Sequence, residues 1–160
     1  MSTHGVTPAA DDPGPWRLTI DTIPEPQAVI VLYAATGWGR AEAYYVATIR
    51  VALARTPILV AAWLPGDRLV GLARAFGDGV IHTALAEVLV HPDQRGRGIG
   101  RALVAAVGSA CAGTALYAEA LPGQAPFFAR CGLVARPAMT VLSRPPTAPG
   151  TVTAVPSGGA

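Results

Sequence analysis

The stretch HPDQRGRGIGRALV, residues 91–104, decides how the rest of the chain is interpreted. It places Gly96, Gly98 and Gly100 among three arginines, between an apolar strand pattern and a run of good helix formers. The first N–H groups of a helix lack internal partners, and the helix dipole favours negative charge there. Glycines let phosphate oxygens approach closely because they carry no Cβ. The stretch therefore predicts an anion site where a strand runs through a loop into a helix.

Two familiar phosphate-binding motifs fit this loop badly. A Walker loop ends in Lys followed by Ser or Thr, whereas Gly100 is followed by Arg101 and Ala102. A dinucleotide fingerprint that starts at Gly96 would need Gly or Ala where Arg101 stands, and it usually opens a parallel βαβ unit. Here the loop follows a predicted hairpin meander. An ordinary glycine-rich turn without a ligand is the remaining alternative.

The composition bounds the class of protein. The chain has 160 residues, of which 51% are hydrophobic and 14% charged, so one domain with an alanine-rich core is expected. A net charge of +2 is too small to indicate a nucleic-acid partner. The uncharged stretch 102–118 is too polar to span a membrane, and no secretory signal is visible. Two cysteines form neither a metal spacing nor a disulfide framework, so we expect a cytoplasmic protein with no metal.

The spacing of apolar residues predicts the order β-α-α-β-β-β-α-β-α-β, a mixed sheet with helices on its faces. We expect a disordered leader over 1–15, the folded domain over 16–143 and a disordered tail over 144–160. The predicted strands are 16–21, 58–64, 68–76, 80–90, 115–120 and 134–142, and the predicted helices are 26–35, 41–55, 99–112 and 124–131.

Two segments carry a resemblance to a known family. The first is VLVHPDQRGRGIGRALV (88–104), with Arg95-x-x-Gly98-x-Gly100 after the strand, and the second is APFFARCGL (125–133). Together they resemble the acetyl-CoA motif and the flanking helix of GNAT superfamily N-acetyltransferases of the small bacterial type. The resemblance covers roughly residues 16–143. It implies the α/β GNAT fold, a mixed, mostly antiparallel six- to seven-stranded sheet with flanking helices and a splayed central cofactor cleft.

The resemblance also implies acetyl-CoA as cosubstrate and a role for each residue of the motif. Backbone groups of the strand before the loop would pair with the pantetheine arm, and the Val90 N–H would polarise the thioester carbonyl. The loop N–H groups would cradle the pyrophosphate. The cofactor-binding residues predicted in this way are Val88, Leu89, Val90, Arg95, Gly96, Arg97, Gly98, Ile99, Gly100, Arg101 and Phe128.

Glu87 is the preferred catalytic base, because amine acetylation requires a group that takes a proton from the substrate ammonium. A carboxylate desolvated in an apolar strand has a raised pKa, which suits a base. Alternatively, Glu87 is a structural acid satisfied by the backbone or by a nearby Arg, and Glu119 is a second candidate for the base. Phe128 stands where the family often has a tyrosine that protonates the thiolate. Solvent could supply that proton, or Tyr117 or Cys131 could, or the protein binds acyl-CoA with little turnover.

The acceptor side is predicted from aromatic residues near the N-terminus. Tyr33 and Trp38 are the predicted substrate-binding residues, although Tyr33 could equally be a core residue of an amphipathic helix. The sequence thus predicts an N-acetyltransferase that acts on a primary amine of a small molecule by direct attack in a ternary complex. The alternatives are acetylation of a protein N-terminus or lysine, and a catalytically weak acyl-CoA-binding module. The sequence does not determine whether the protein forms a homodimer.

Overall fold

The computed structural model describes residues 15–144. The predicted leader and tail lie outside these residues, except for their innermost positions 15 and 144. The strands are β1 Arg17–Ile20, β2 Ile58–Leu64, β3 Arg68–Gly77, β4 His82–Val90 and β5 Ala115–Ala118. The helices are α1 Pro26–Thr36, α2 Val46–Ala54, α3 Ile99–Ala110 and α4 Ala125–Arg130, with 3-10 turns at Ala41–Ala43 and Pro92–Gln94.

The described strands form one sheet in the order β1-β2-β3-β4-β5. The pairs from β1 to β4 are antiparallel, and β5 pairs with β4 in parallel. Alternate residues of the strands face opposite sides. Leu59 and Ala61 pack in a core with residues of α1 and α2, whereas Val60 and Ala62 pack in a second core with residues of α3. The α/β class and the mostly antiparallel sheet are confirmed.

The helix boundaries follow from residues at their ends. α1 begins at Pro26, whose fixed φ and missing N–H suit a first turn, and it ends at Gly37, which has a φ of 84°. The predicted helix over 41–55 is wrong in its first part. Tyr44 and Tyr45 have extended backbones, and only Val46–Ala54 is α-helical. Tyr44 is held out of the helix because its hydroxyl donates to the Trp38 carbonyl and its ring lies 5.1 Å from that of Tyr33.

The predicted closing strand over 134–142 is also wrong, so the described part of the chain has five strands where six to seven were expected. Pro137 has no N–H to give to a ladder, and the Met139 N–H donates to the Arg136 carbonyl in a turn. The apolar side chains of Val134, Val141 and Leu142 are exposed, so burial does not stabilise an extended pairing here.

β4 and β5 pair at one end only. His82–Leu85 pair with Ala115–Ala118, and no further pair is formed between these two strands. Arg74 of β3 is opposite Glu87, and the next residue, Ala75, is opposite Leu85, so Ala86 is an extra residue that bulges from β4. Beyond the bulge, the edge of β4 that faces away from β3 is free of strand partners. The splayed centre expected of the sheet is therefore formed by a short β5 and a bulge at Ala86.

Candidate active site

A cleft of about 990 Å³ lies where β4 and β5 separate. Its size is at the upper end of ordinary ligand sites. Its walls come from the free part of β4, the glycine loop with the start of α3, the segment after β5, and α4. The lining residues are Thr36, Trp38, Leu85, Ala86, Glu87, Val88, Leu89, Val90, Gln94, Arg95, Gly96, Gly98, Ile99, Gly100, Arg101, Glu119, Ala120, Leu121, Pro122, Gln124, Phe127, Phe128, Arg130 and Val141.

The glycine loop presents unpaired backbone donors to this cleft. Gly96 and Gly98 have φ values of 75° and 79°, a backbone region that side chains other than glycine rarely adopt. The first intrahelical bond of α3 runs from the Ala102 N–H to the Gly98 carbonyl at 3.0 Å. The N–H groups of Ile99, Gly100 and Arg101 precede this bond, so they have no partner within the helix. The start of α3 thus offers the anion site that the sequence predicts.

Two close contacts fix the start of α3 at the cleft. A Cβ at Gly71 of β3 would lie 3.0 Å from Ile99 and 3.1 Å from Leu103, so only glycine lets α3 pack this closely on the sheet. A Cβ at Gly100 would lie 3.3 Å from the Phe127 ring, so α4 packs directly against the first turn of α3. The glycine loop, β4 and α4 therefore form one continuous wall.

The free edge of β4 also carries unpaired backbone groups. The His91 N–H donates to the Val70 carbonyl of β3 at 2.8 Å. Successive N–H groups of an extended strand point to opposite edges, so the N–H groups of Val88 and Val90 point away from β3 and towards the cleft. The Arg95 Nε donates to the Val90 carbonyl at 3.3 Å. This edge can pair with an extended ligand in the way that a further strand would.

Glu87 lies in the cleft wall within a network of side chains. The Arg74 Nε donates to Glu87 Oε1 at 2.7 Å, and an Arg74 Nη donates to Oε2 at 3.1 Å. The Tyr33 hydroxyl donates to Oε1 at 2.7 Å. The Glu87 side chain is 8% exposed and that of Arg74 is 16% exposed. The carboxylate is thus paired with an Arg, which was the structural alternative considered from the sequence.

The network changes the ionisation of its members. Burial raises the pKa of Tyr33 far above its ordinary value of 10.0, and the Glu87 charge raises it further. Burial acts to lower the pKa of Arg74, but the hydrogen bonds and the charge of Glu87 outweigh that effect and raise it. Tyr33 therefore stays a protonated donor and Arg74 a cation, so both keep donating hydrogen bonds to the carboxylate.

Most of the predicted site residues line this cleft, and two do not. Glu87, Trp38, Phe128 and the predicted cofactor residues other than Arg97 are in its walls. Tyr33 is 6% exposed and lies behind Glu87, so it is a core residue rather than the substrate contact predicted from the sequence. Ile99 and Leu89 contribute to the wall while their side chains are buried in the two cores.

Several residues of the site were not predicted. Arg74 stands 13 positions before Glu87, and no motif marks it. Gln94 precedes the glycine loop and is 8% exposed, and its side-chain carbonyl accepts no hydrogen bond from the residues that the structure describes. A buried acceptor without a partner in a cleft wall suits a polar ligand. Neither Tyr117 nor Cys131, the alternatives to Phe128 as proton donor, is among the lining residues.

Within residues 15–144, no group of three or more His, Cys, Asp or Glu side chains is arranged to hold a metal ion. None of the helices in the same residues is long and apolar enough to cross a membrane.

Comparison with solved structures supports the fold. A protein of unknown function from meticillin-resistant Staphylococcus aureus, named a probable acetyltransferase, is 15% identical, with a TM-score of 0.71 over 81% of this chain and 98% of that one. An aminoglycoside acetyltransferase from an uncultured soil metagenomic sample is 14% identical, with a TM-score of 0.66 over 84% and 97%. A ribosomal-protein-alanine N-acetyltransferase from Brucella melitensis is 16% identical, with a TM-score of 0.60 over 81% and 98%. At these identities the similarity shows the fold alone.

Comparison with family models is more specific. No curated protein matches the sequence. The model described as the acetyltransferase (GNAT) domain matches residues 40–133, more than half of the chain, including the glycine loop and α4. GNAT acetyltransferases are acyltransferases that use acetyl-CoA as donor. The chain therefore belongs to the GNAT family and is an acyltransferase.

Proposed function

We propose that this chain transfers the acetyl group of acetyl-CoA to a primary amine of a small molecule, by direct attack within a ternary complex. One observation carries the proposal. A single cleft joins the unpaired N–H groups of α3 to the carboxylate of Glu87. A donor held at one end of this cleft and an amine held at the other would meet beside the bulge at Ala86.

The described residues fit a CoA-type donor. The N–H groups of Ile99, Gly100 and Arg101 would hold its pyrophosphate, with Arg95 and Arg101 adding positive charge at the rim. The free N–H groups of Val88 and Val90 would hold the pantetheine arm. Bound acetyl-CoA would supply the acetyl group and a thiol leaving group.

Glu87 is the proposed base, and its contacts indicate which oxygen would take the proton. A carboxylate has about four acceptor positions, two on each oxygen. Arg74 and Tyr33 fill both positions on Oε1, and Arg74 fills one on Oε2. The remaining position on Oε2 would accept the proton of the substrate ammonium, directly or through one water molecule. The neutral amine would then attack the thioester carbonyl.

Protonation of the leaving thiol is proposed to come from solvent. Phe128 has no proton to give, and Cys131 lies outside the cleft lining, with a pKa raised by partial burial. A thiol with a pKa of about 8.5 is a fair leaving group even without a dedicated acid. The ring of Phe128, which packs against that of Phe127 at 5.0 Å, would instead cover the donor.

A small acceptor is favoured over a peptide by the charge of the cleft. The described lining holds two carboxylates, Glu87 and Glu119, and Glu87 is already paired with Arg74. Recognition of a basic peptide would call for a stripe of acidic residues. Two alternative functions are retained as outcomes of the test. They are a protein acetyltransferase and a weakly catalytic acyl-CoA-binding module.

The test begins with isothermal titration of acetyl-CoA, for which we expect binding at micromolar concentration. Release of free thiol is then followed with a panel of primary amines and with peptides that carry a free N-terminus or lysine. Turnover of peptides alone would favour the protein acetyltransferase. Binding without turnover of any acceptor would favour the binding module, and absence of acetyl-CoA binding would overturn the whole proposal.

The role of Glu87 is tested by Glu87→Gln, with Glu119→Gln as a matched carboxylate control in the same cleft. We expect Glu87→Gln to lower kcat by about a hundredfold or more and to flatten the rise of rate with pH. Glu119→Gln, on an exposed residue, should keep the pH profile of the parent protein. An unchanged profile in Glu87→Gln would remove Glu87 as the base.

A further inference from the structure

The turn that follows α1 brings Trp38 to the end of the cleft that contains Glu87. Of the described residues that line the cleft, Thr36 and Trp38 are those that precede β2. The Trp38 N–H donates to the Tyr33 carbonyl at 3.0 Å, and the Tyr33 hydroxyl donates to Glu87 at 2.7 Å. Trp38 is therefore bonded to the residue that contacts the proposed base, and it lines the cleft at the end where the acceptor is expected.

The turn itself does little to fix Trp38. The residue stands between Gly37 and Gly39, whose φ values are 84° and 118°, and glycines restrict the backbone least. The Trp38 side chain is only partly buried, where it packs on the core shared by α1 and α2. Its orientation in the cleft wall therefore depends on the groups outside the turn that bind its backbone.

Tyr44 supplies such a group. Its hydroxyl donates to the Trp38 carbonyl, so both backbone polar groups of Trp38 have a partner, Tyr33 for the N–H and Tyr44 for the carbonyl. Tyr44 has an extended backbone just before α2, and it is not among the described residues that line the cleft. Tyr44 thus binds the turn from behind the wall, where it does not meet a ligand.

The same tyrosine is coupled to the network around Glu87. The Tyr44 ring lies 5.1 Å from that of Tyr33, whose hydroxyl donates to Glu87. Partial burial raises the pKa of Tyr44, and the Glu87 charge raises it further, so its hydroxyl stays a donor at neutral pH. The two tyrosines therefore hold Trp38 and the carboxylate in a fixed relation to each other. Small displacements of groups that orient a substrate can lower a rate markedly.

We propose that Tyr44 is a positioning residue that holds Trp38 in the wall of the acceptor end of the cleft, beside Glu87. This inference rests on the proposed function and specifies what orients the acceptor. Loss of the Tyr44 hydroxyl would free the Trp38 turn and weaken the contact between acceptor and indole. Donor binding would be unaffected, because the donor groups lie on β4 and α3.

The test is a double-mutant cycle of Tyr44→Phe and Trp38→Ala, with Tyr45→Phe as the control. Acetyl transfer is measured with the acceptor that the panel of amines and peptides shows to be turned over fastest. We expect Tyr44→Phe to raise KM for this acceptor about fivefold or more, with the Kd for acetyl-CoA within about twofold and the pH profile of kcat unchanged. In the Trp38→Ala background, Tyr44→Phe should change KM by less than about twofold, because no indole is left to position.

A purely structural role of Tyr44 would give a different pattern. Its hydrogen bond goes to a backbone carbonyl, which Trp38→Ala retains, so the loss of stability in urea should be similar in both backgrounds. The effect on KM should differ between them only if Tyr44 acts through the indole. Tyr45, the next residue, is 63% exposed, and Tyr45→Phe should match the parent protein in KM and stability. An unchanged KM in Tyr44→Phe, an equal rise in both backgrounds, or an equal rise in Tyr45→Phe would overturn the inference.

Failure of the proposed function would look different, because no acceptor would then be acetylated. In that case the protein is labelled with fluorotryptophan, and the signal that Trp38→Phe removes identifies Trp38 among the three tryptophans by fluorine NMR. Tyr44→Phe should shift or broaden this signal and leave that of Trp63 unchanged, whereas Tyr45→Phe should alter neither. A changed Trp38 signal without turnover would support Tyr44 as the residue that positions Trp38 while refuting acetyl transfer. An unchanged signal would overturn the inference whatever the activity.

Discussion

The two halves of the site are built from different parts of the chain. The proposed donor half consists mostly of backbone groups, contributed by the free edge of β4 and by the loop that follows it, Val88–Arg101. The proposed acceptor half consists of side chains from α1, β3 and β4, which meet at the Tyr33–Arg74–Glu87 network. A backbone site depends on glycines and on a helix terminus, whereas a side-chain site depends on packing. Substitutions in the first half should therefore act mainly on donor binding, whereas loss of the ion pair in the second half should also cost much of the stability.

Arg74→Met should have the largest effect on stability. It removes the cation from Glu87, whose side chain is 8% exposed, and so leaves a carboxylate in a largely buried position without its ion partner. We expect the free energy of unfolding to fall by about 3 kcal/mol. The measurement is urea unfolding followed by tryptophan fluorescence.

Two variants serve as controls for Arg74→Met. Arg97→Met, on an exposed arginine of the glycine loop, should change the free energy of unfolding by no more than about 0.5 kcal/mol. The double variant Arg74→Met, Glu87→Gln should recover much of the loss, because both charges are then removed. If the two single variants unfold alike, the contrast between the two halves is wrong.

Gly98→Ala should weaken the binding of acetyl-CoA in the donor half. Gly98 has a φ of 79° at the start of α3, and an added methyl would stand in the open space where the donor's phosphates are expected. We expect the Kd for acetyl-CoA to rise about tenfold, which corresponds to about 1.4 kcal/mol of binding free energy. Isothermal titration gives the value.

Gly66→Ala is the matched control for Gly98→Ala. Gly66 lies in the turn between β2 and β3, has a φ of 76°, and likewise has open space around its Cβ position. Both variants should lose similar stability from backbone strain, about 1 kcal/mol. Only Gly98→Ala should weaken acetyl-CoA binding, and an equal effect of Gly66→Ala would mean that strain rather than the ligand contact is measured.

Tyr33→Phe should have a smaller effect, of about 1 kcal/mol, because it removes one hydrogen bond to Glu87 and keeps the buried ring. The loss of this hydroxyl should be visible in the way the free energy of unfolding changes at alkaline pH. Burial and Glu87 raise the pKa of Tyr33 in the folded protein, so the unfolded chain loses this proton first, near pH 10.0. Unfolding then releases a proton, and stability falls as pH rises above that value.

The measurement for Tyr33→Phe is the free energy of unfolding between neutral pH and about pH 11. The parent protein should lose more stability over this range than Tyr33→Phe, so that the two converge at alkaline pH. Tyr45→Phe, on an exposed tyrosine, should follow the parent protein. Parallel curves for the parent and Tyr33→Phe would show that the hydroxyl of Tyr33 is not a buried donor.

The same contrast explains what the sequence could predict. The glycine loop is contiguous, so the spacing of Gly96, Gly98 and Gly100 carries its conformation. The free edge of the strand before it was implied only by the resemblance to the GNAT family. Three apolar runs separated by two tight turns likewise predict the meander of β2, β3 and β4. The partner of Glu87 could not be named, because Arg74 is brought to it by strand register across a bulge that has no sequence signal.

The aromatic residues show the limit of composition as a guide to a site. Tyr33 and Trp38 are predicted from the sequence to contact the substrate, but Tyr33 is buried with its hydroxyl donating to Glu87, and the Trp38 carbonyl accepts a hydrogen bond from Tyr44. Likewise, the apolar pattern over 134–142 suggests a strand, but nothing in the sequence shows whether a partner is available to it.

Substitution of Asp78 should have the smallest effect. Asp78 lies beside the end of β4 that pairs with β5, away from the cleft. Its carboxylate accepts hydrogen bonds from the N–H groups of Ile81 and Val80, which lower its pKa. The Ile81 carbonyl in turn accepts from the Ala115 N–H of the strand β5 at 2.9 Å. The turn thus holds the closed end of the pair whose open end forms the cleft.

Asp78→Ala should slightly lower the Tm at pH 6, and the difference should shrink on acidification. Because the pKa of Asp78 is lowered in the folded protein, its contribution is present above the ordinary value of 3.8 and is lost as pH falls through the folded value. Thermal unfolding at about pH 6 and at about pH 3 gives the comparison. Asp78→Asn keeps an oxygen acceptor without a charge, so its Tm difference from Asp78→Ala should not depend on pH. A difference between the parent protein and Asp78→Ala that persists unchanged at low pH would show that packing of the turn, and not the carboxylate, holds β5 to β4.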